Sequence, residues 1–156
     1  EPGVVGAIFD SRISTEIIAD GIHVHFAAIR TALAKKGYRN CALVSDSMEA
    51  ACMDDGTYSL GGRDVFVNNG EARLSNGTLA GSTLTLDTAV RNILKNTHYN
   101  IAEAVAMASA VPARICKADD TKGHIKPGYD ADIIIFDPEV NIKTTIIGGR
   151  VINRDV

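Results

Sequence analysis

Cys41-Ala42-Leu43-Val44-Ser45-Asp46-Ser47 is an apolar run closed by a carboxylate between two serines. Apolar residues in unbroken succession with a polar stop fit a buried strand. A lone carboxylate at the C-terminal end of such a strand is where α/β-barrel enzymes place their chemistry. An Asp there also serves as the cap of a following helix or opens a turn. The local pattern therefore leaves Asp46 as either a structural residue or an acid/base group.

Upstream, Ile17-Ile18-Ala19-Asp20-Gly21-Ile22-His23-Val24-His25 reads as a second strand, again ending in groups able to bind protons, phosphate or metal. Between the two runs, His25 to Lys36 reads as a helix. Phe26, Ile29, Ala32 and Leu33 recur at helical spacing, and Gly37 follows Lys35 and Lys36 as a stop signal. Strand, helix and strand in this order predict a parallel pair. His23 taken alone is as compatible with a structural histidine as with a ligand. His23 and His25 together suggest a His-x-His metal pair, against which a helix starting at His25 would turn that side chain away.

Past Asp46 the pattern becomes antiparallel. Thr57 to Leu60, Asp64 to Val67 and Glu71 to Leu74 read as short strands, with Asn68-Asn69-Gly70 as the turn between the last two. Leu86 to Asn96 follows as an amphipathic helix, and Asn100 opens another with Ile101, Ala104, Val105 and Ala108 as its stripe. Pro112 either limits its last turn or begins a new helix. Ile133-Ile134-Ile135-Phe136 is a compact strand, and Ile142 to Ile147 with Arg150 to Ile152 form a terminal hairpin around Gly148-Gly149.

Composition places few demands on partners. The sixteen Lys and Arg are scattered and outnumbered by nineteen Asp and Glu, so no phosphate-backbone footprint is present and nucleic-acid binding is not expected. No apolar run approaches the roughly 18 residues of a membrane span, and the first residues lack a signal-peptide pattern. With 46% apolar and 22% charged residues, the expectation is a cytoplasmic protein with no membrane contact. Cys41, Cys52 and Cys116 are widely spaced and read as reduced thiols, Cys41 and Cys116 acting as small hydrophobes.

Four strings carry a resemblance: Ala19-Asp20-Gly21-Ile22-His23-Val24, Leu43-Val44-Ser45-Asp46-Ser47, Gly56-Thr57-Tyr58-Ser59-Leu60-Gly61-Gly62, and Gly77-Thr78-Leu79-Ala80-Gly81-Ser82-Thr83-Leu84-Thr85. They resemble the N-acetylglucosamine-6-phosphate deacetylases of the amidohydrolase superfamily, over nearly the whole chain. The tail Lys126-Pro127-Gly128-Tyr129-Asp130-Ala131-Asp132 with Gly148-Gly149-Arg150-Val151 resembles amidohydrolases more broadly. Ser45, Ser47 and Phe26 depart from the residues common at those places.

The resemblance implies an α/β fold, the C-terminal part of a TIM-like (β/α)8 metal-dependent hydrolase barrel. Residues 1–125 would belong to the barrel, with a β-hairpin insertion at about 56–76, and residues 126–156 to strands of a small β-sandwich domain. A divalent metal, zinc or iron, would serve the complete enzyme, with its Glu and two His ligands absent from this chain. Asp46 would act as general base and then general acid. Asp20, Gly21, Ile22 and His23 would contact the substrate, His23 donating from either ring nitrogen. Leu79, Ala80 and Gly81 would contribute further contacts, Ala80 and Gly81 through the backbone beside a helix starting near Ser82 or Thr83. Without the resemblance that segment reads as a plain N-cap turn.

The implied activity is hydrolysis of N-acetyl-D-glucosamine 6-phosphate to D-glucosamine 6-phosphate and acetate, with this chain inactive alone. Another amidohydrolase, of the dihydroorotase or N-acyl-amino-acid deacylase type, is the competing enzyme reading. A non-catalytic sugar-phosphate binding or assembly module is the non-enzyme one. The implied partners are a small sugar phosphate and a second copy of the chain in a homodimer, with unpaired sheet edges favouring self-association.

Overall fold

Thr15–Ile18 forms strand β1 and Cys41–Val44 forms strand β2, and the two run parallel with Ile17 opposite Leu43 and Ile18 opposite Val44. The computed structural model describes residues 1–153. Helix α2, Phe26–Lys36, makes the crossover between the strands. Cys41, Ala42 and Leu43 are all buried, so β2 is covered on both faces, as a strand of a parallel sheet must be.

The first strand is shorter than its sequence suggests. It stops at Ile18, because Asp20 and Gly21 turn the chain and Gly21 takes a left-handed φ of 80°. The run from Ala19 to His25 is loop, and the strand reading of it is corrected here. His25 caps α2, its Nδ1 accepting from the Ala27 N–H at 3.2 Å. Its ring is thus engaged with its own helix, and the expected start of that helix holds.

Gly3–Asp10 forms helix α1, which the sequence did not suggest because two glycines interrupt its apolar run. It buries no residue, and it is held at its C-terminal end by Lys36. The Lys36 ammonium, almost fully buried, donates to the carbonyls of Ile8 at 2.9 Å and Ser11 at 2.7 Å. A cation there meets both the unpaired carbonyls and the negative end of the helix dipole.

Strands β3 (Gly56–Leu60), β4 (Arg63–Asn68) and β5 (Glu71–Leu74) form an antiparallel meander in the expected place. Asn69 and Gly70 both have positive φ, the geometry that a two-residue hairpin turn requires. This meander has its own small core of Met48, Ala50, Val65, Val67, Ala72 and Ala80.

Helix α3 (Leu86–Asn96), helix α4 (Ile101–Ala108) and helix α5 (Ala110–Ile115) pack on β2. Asn100 and Glu103 close a capping box on α4, and Pro112 lies inside the new helix α5. The main core joins Ile17, Ile29, Leu33, Leu43, Ile93 and Met107, so both strands and three helices share one apolar interior. Burial pushes the Cys41 thiol up to about 11, while Cys116 proves exposed, against the expectation that it packs as a hydrophobe.

Strands β6 (Ile133–Phe136), β7 (Ile142–Ile147) and β8 (Arg150–Asn153) make a second antiparallel sheet. Arg91 ties it to α3, donating to the Val140 carbonyl at 2.8 Å and pairing with Asp87 at 3.0 Å. Burial raises the Asp87 carboxyl, but hydrogen bonds from Thr85 and Arg91 and the Arg91 charge outweigh it and hold the group low. Lys122 bridges Asp130 and Asp132 at the approach to this sheet, and Asp132 also accepts the Gly148 N–H at 2.8 Å. Among the described residues, no helix is long and apolar enough to cross a membrane.

Candidate functional site

Parallel strands end on the same side of their sheet, so the turns after β1 and β2 are neighbours. The turn after β1 carries Asp20 to His23. The one after β2 carries Asp46.

Asp46 stands at φ 48°, a left-handed backbone that Asp and Asn adopt more readily than other side-chain-bearing residues. Its side chain is exposed, while its backbone is pinned. The Asp46 carbonyl accepts the Ser82 N–H at 2.9 Å, and the Met48 N–H reaches the Ser82 carbonyl at 2.9 Å. Ser47 and Ser82 thus form a parallel bridge that places residues 79–82, remote in sequence, beside the end of β2.

The same segment is held from its other side. Ala80 N–H donates to the Ala72 carbonyl at 3.0 Å, and Leu79 bridges to Arg73. Residues 78–85 are therefore not helical, and the helix expected near Ser82 or Thr83 starts only at Leu86, with Thr85 at its cap position. The Ala80 and Ser82 N–H groups are consumed by these pairings, which corrects the expectation of free helix-start donors there.

Gly81 has φ 71°, and a Cβ on it would stand 3.4 Å from the Met48 Cβ, 3.6 Å from the Asp46 carbonyl oxygen and 3.7 Å from the Leu60 side chain. Glycine thus lets the 79–82 segment lie directly against the Asp46 turn. Leu60, at the end of β3, had no local signature of a place in this site.

In the turn after β1, Asp20 Oδ1 accepts the N–H groups of Ile22 and His23, each at 2.9 Å, and Oδ2 lies 2.6 Å from His23 Nδ1. The reading of His23 as a donor from either ring nitrogen is narrowed, because Nδ1 is taken. A Cβ at Gly21 would meet the Phe26 ring at 2.5 Å, so Phe26 packs directly over the turn. From the opposite side the Asn92 side-chain amide in α3 donates to the Ala19 carbonyl at 2.8 Å. Sequence reasoning missed Asn92, whose partner lies 73 residues away.

A hollow of about 400 Å³ adjoins the Asp46 turn, lined by Ser45, Ser47, Leu84, Thr85, Ile142 and Thr145 among others, though not by Asp46 itself. Among the described residues, no three His, Cys, Asp or Glu side chains converge as a metal site would require. Nδ1 of His25 accepts the Ala27 N–H and Nδ1 of His23 faces Asp20.

The family model described as Amidohydrolase family matches residues 4–152. A putative N-acetylgalactosamine-6-phosphate deacetylase of Escherichia coli strain K12 is 42% identical, the match covering 96% of this chain and 90% of that protein. The N-acetylglucosamine-6-phosphate deacetylase of Lysinibacillus sphaericus is also 42% identical, over 97% of this chain and 39% of its own length. The crystal structure of N-acetylglucosamine-6-phosphate deacetylase from Pasteurella multocida superposes with a TM-score of 0.93 at 32% identity, covering 97% of this chain and 40% of that one. Apart from the K12 protein, the chain spans less than half the length of these relatives.

Proposed function

The chain belongs to the amidohydrolase family, and we propose that it supplies the acid/base carboxylate and part of the sugar-phosphate cradle of a deacetylase. The reaction is hydrolysis of N-acetyl-D-glucosamine 6-phosphate to D-glucosamine 6-phosphate and acetate. The observation that carries it is that Asp46 and the Asp20–His23 turn follow the same end of a parallel strand pair, with the 79–82 segment bridged to the Asp46 turn. We read β1, α2 and β2 as consecutive units of the family's barrel, residues up to about 125 as barrel, and the β6–β8 sheet as part of its small β domain.

In this reading Asp46 takes a proton from the water that attacks the acetamide carbonyl. It returns that proton to the nitrogen as the C–N bond breaks, leaving acetate and the free amine. An exposed carboxylate on a pinned backbone suits both tasks, since it reaches solvent and is held within a fixed turn. His23 and the 79–81 segment contact the sugar phosphate, Ala80 through groups other than the N–H that pairs with Ala72. The described residues do not themselves form a metal site, so ligands for the divalent ion that this family generally uses would come from elsewhere in the complete protein. Exposed Ile134, Ile135, Ile147, Val151 and Ile152 around the β6–β8 sheet favour a covered rather than solvated sheet, in keeping with a homo-oligomer.

A second reading concerns the sugar alone. The relatives at 42% identity include both N-acetylgalactosamine and N-acetylglucosamine 6-phosphate deacetylases, so the C4 epimer is the competing substrate. The test is acetate release by the complete gene product from both epimers and from an N-acyl amino acid. The expected order is the glucosamine derivative first, the galactosamine derivative second and the amino acid last. Equal rates on the acylated amino acid would overturn the assignment.

A further inference from the structure

We propose that Asp20 is a positioning residue that fixes the proton of His23 on Nδ1 and leaves Nε2 as the one ring nitrogen able to meet substrate. The inference rests on the deacetylase reading for what His23 contacts, but its geometry is independent of that reading.

Asp20 has little left to offer a ligand. One carboxylate oxygen accepts two backbone N–H groups at 2.9 Å each, and the other accepts from His23 Nδ1 at 2.6 Å. The side chains of Asp20 and His23 are 9% and 19% exposed, so the pair is largely withdrawn from water. An anionic carboxylate would also repel a phosphate brought to it. Asp20 therefore acts through His23 rather than on the sugar phosphate.

The proton assignment follows from the acceptor. An ionised carboxylate has lone pairs only, so the short contact requires the hydrogen on Nδ1. In the neutral ring Nε2 is then a bare acceptor suited to a hydroxyl or water proton. It donates to an anionic oxygen only when the ring takes up a second proton. The turn that sets this is braced on two sides, by Phe26 over Gly21 and by Asn92 on the Ala19 carbonyl. The arrangement parallels the carboxylate that holds a catalytic imidazole in one tautomer, where changing Asp to Asn keeps the geometry and inverts the proton position.

The test is the tautomer of His23 read from long-range proton–nitrogen correlation spectra of the histidine-labelled chain at pH 8. His23→Gln identifies the signals. The wild-type ring is expected as the Nδ1–H form, and the Nε2–H form overturns the proposal without any variant having to fold. Asp20→Asn keeps an oxygen for the two backbone donors and turns its NH2 toward Nδ1, so the ring is expected to switch to Nε2–H. In the complete gene product the same change is expected to lower kcat/KM about 10- to 100-fold, the size of effect seen when the partner that orients a metal-bound histidine is lost. Lost activity with an unchanged tautomer would assign Asp20 a merely structural role and overturn the inference. A gene product that releases no acetate from either amino-sugar phosphate defeats the functional reading instead, while the tautomer, measured on this chain, decides the Asp20–His23 claim.

Discussion

Replacing Gly21 by Ala tests how the turn that carries His23 is held. Two costs add. A side chain at φ 80° strains the backbone, at about 1–3 kcal/mol for a residue in so sparsely populated a region. The new Cβ would stand 2.5 Å from Phe26 Cε2 and 2.9 Å from Cζ, against roughly 3.5–4.0 Å for carbons at rest. The ring must retreat by about 1 Å, an overpacking penalty typically of about 1–3 kcal/mol. The stiffer unfolded chain returns about 0.4–1 kcal/mol. The net loss is about 3 kcal/mol, or a fall in Tm of about 6–12 °C for a chain of this size.

Thermal unfolding followed by far-UV circular dichroism measures it, with urea midpoints as a check. The double variant Gly21→Ala with Phe26→Ala separates the two costs, since truncating the ring removes the overlap and leaves the backbone strain. The pair should be less destabilised than the sum of the single changes by about 1–3 kcal/mol. A Gly21→Ala fall in Tm below about 2 °C, or strict additivity in the double variant, would refute the packing of Phe26 over this turn.

Asp46→Asn should remove at least about a hundredfold of turnover in the complete gene product. Its stability should stay within about 0.5 kcal/mol, because Asn accepts the left-handed backbone as readily as Asp; retention of a tenth of kcat would exclude the acid/base role. A thiol reagent at pH 8 should titrate Cys52 and Cys116 in the folded chain and Cys41 only after unfolding, since a buried thiol pushed up to about 11 is almost wholly protonated there. Fast labelling of all three would contradict the burial of β2. Hydrogen bonds from the Asn141 side chain and backbone, with Lys143 nearby, hold the Asp137 carboxyl down at about 2. A carboxyl lowered in the folded state contributes stability above its unfolded value near about 3.9 and loses it as pH falls toward 2. Asn141→Ala should therefore move the Asp137 titration, followed by carbon-detected NMR, upward and flatten the stability profile between about pH 4 and 2.

Much of the fold was legible because its signals are local. The apolar run Cys41–Val44, the helical spacing from Phe26 to Lys36, the Asn69-Gly70 turn and the helix start at Asn100 each lie within a few residues, and each forms the element they specify. Two patterns misled, one because a side chain bonded its own backbone and one because a contact remote in sequence had taken over. The run from Ala19 to His25 is apolar enough for a strand, yet Asp20 bonds to its own backbone and the chain turns. Ser82 or Thr83 looked like a helix start, but residues 78–82 are held between β5 and the Asp46 turn.

The same division runs through the site. Sequence by itself determined that a carboxylate ends the buried strand and that a His follows the strand before it, because each is written within a few consecutive residues; the Leu79-Ala80-Gly81 segment was implied only by the resemblance. Only the tertiary structure decided that the Ser82 amide and carbonyl clamp the Asp46 turn, that Asn92 and Phe26 brace the histidine's turn, and that Asp20 spends its carboxylate on His23. Such contacts join positions tens of residues apart, or choose among several partners that a short polar side chain reaches, and either choice is made by packing the whole chain rather than by any window of it.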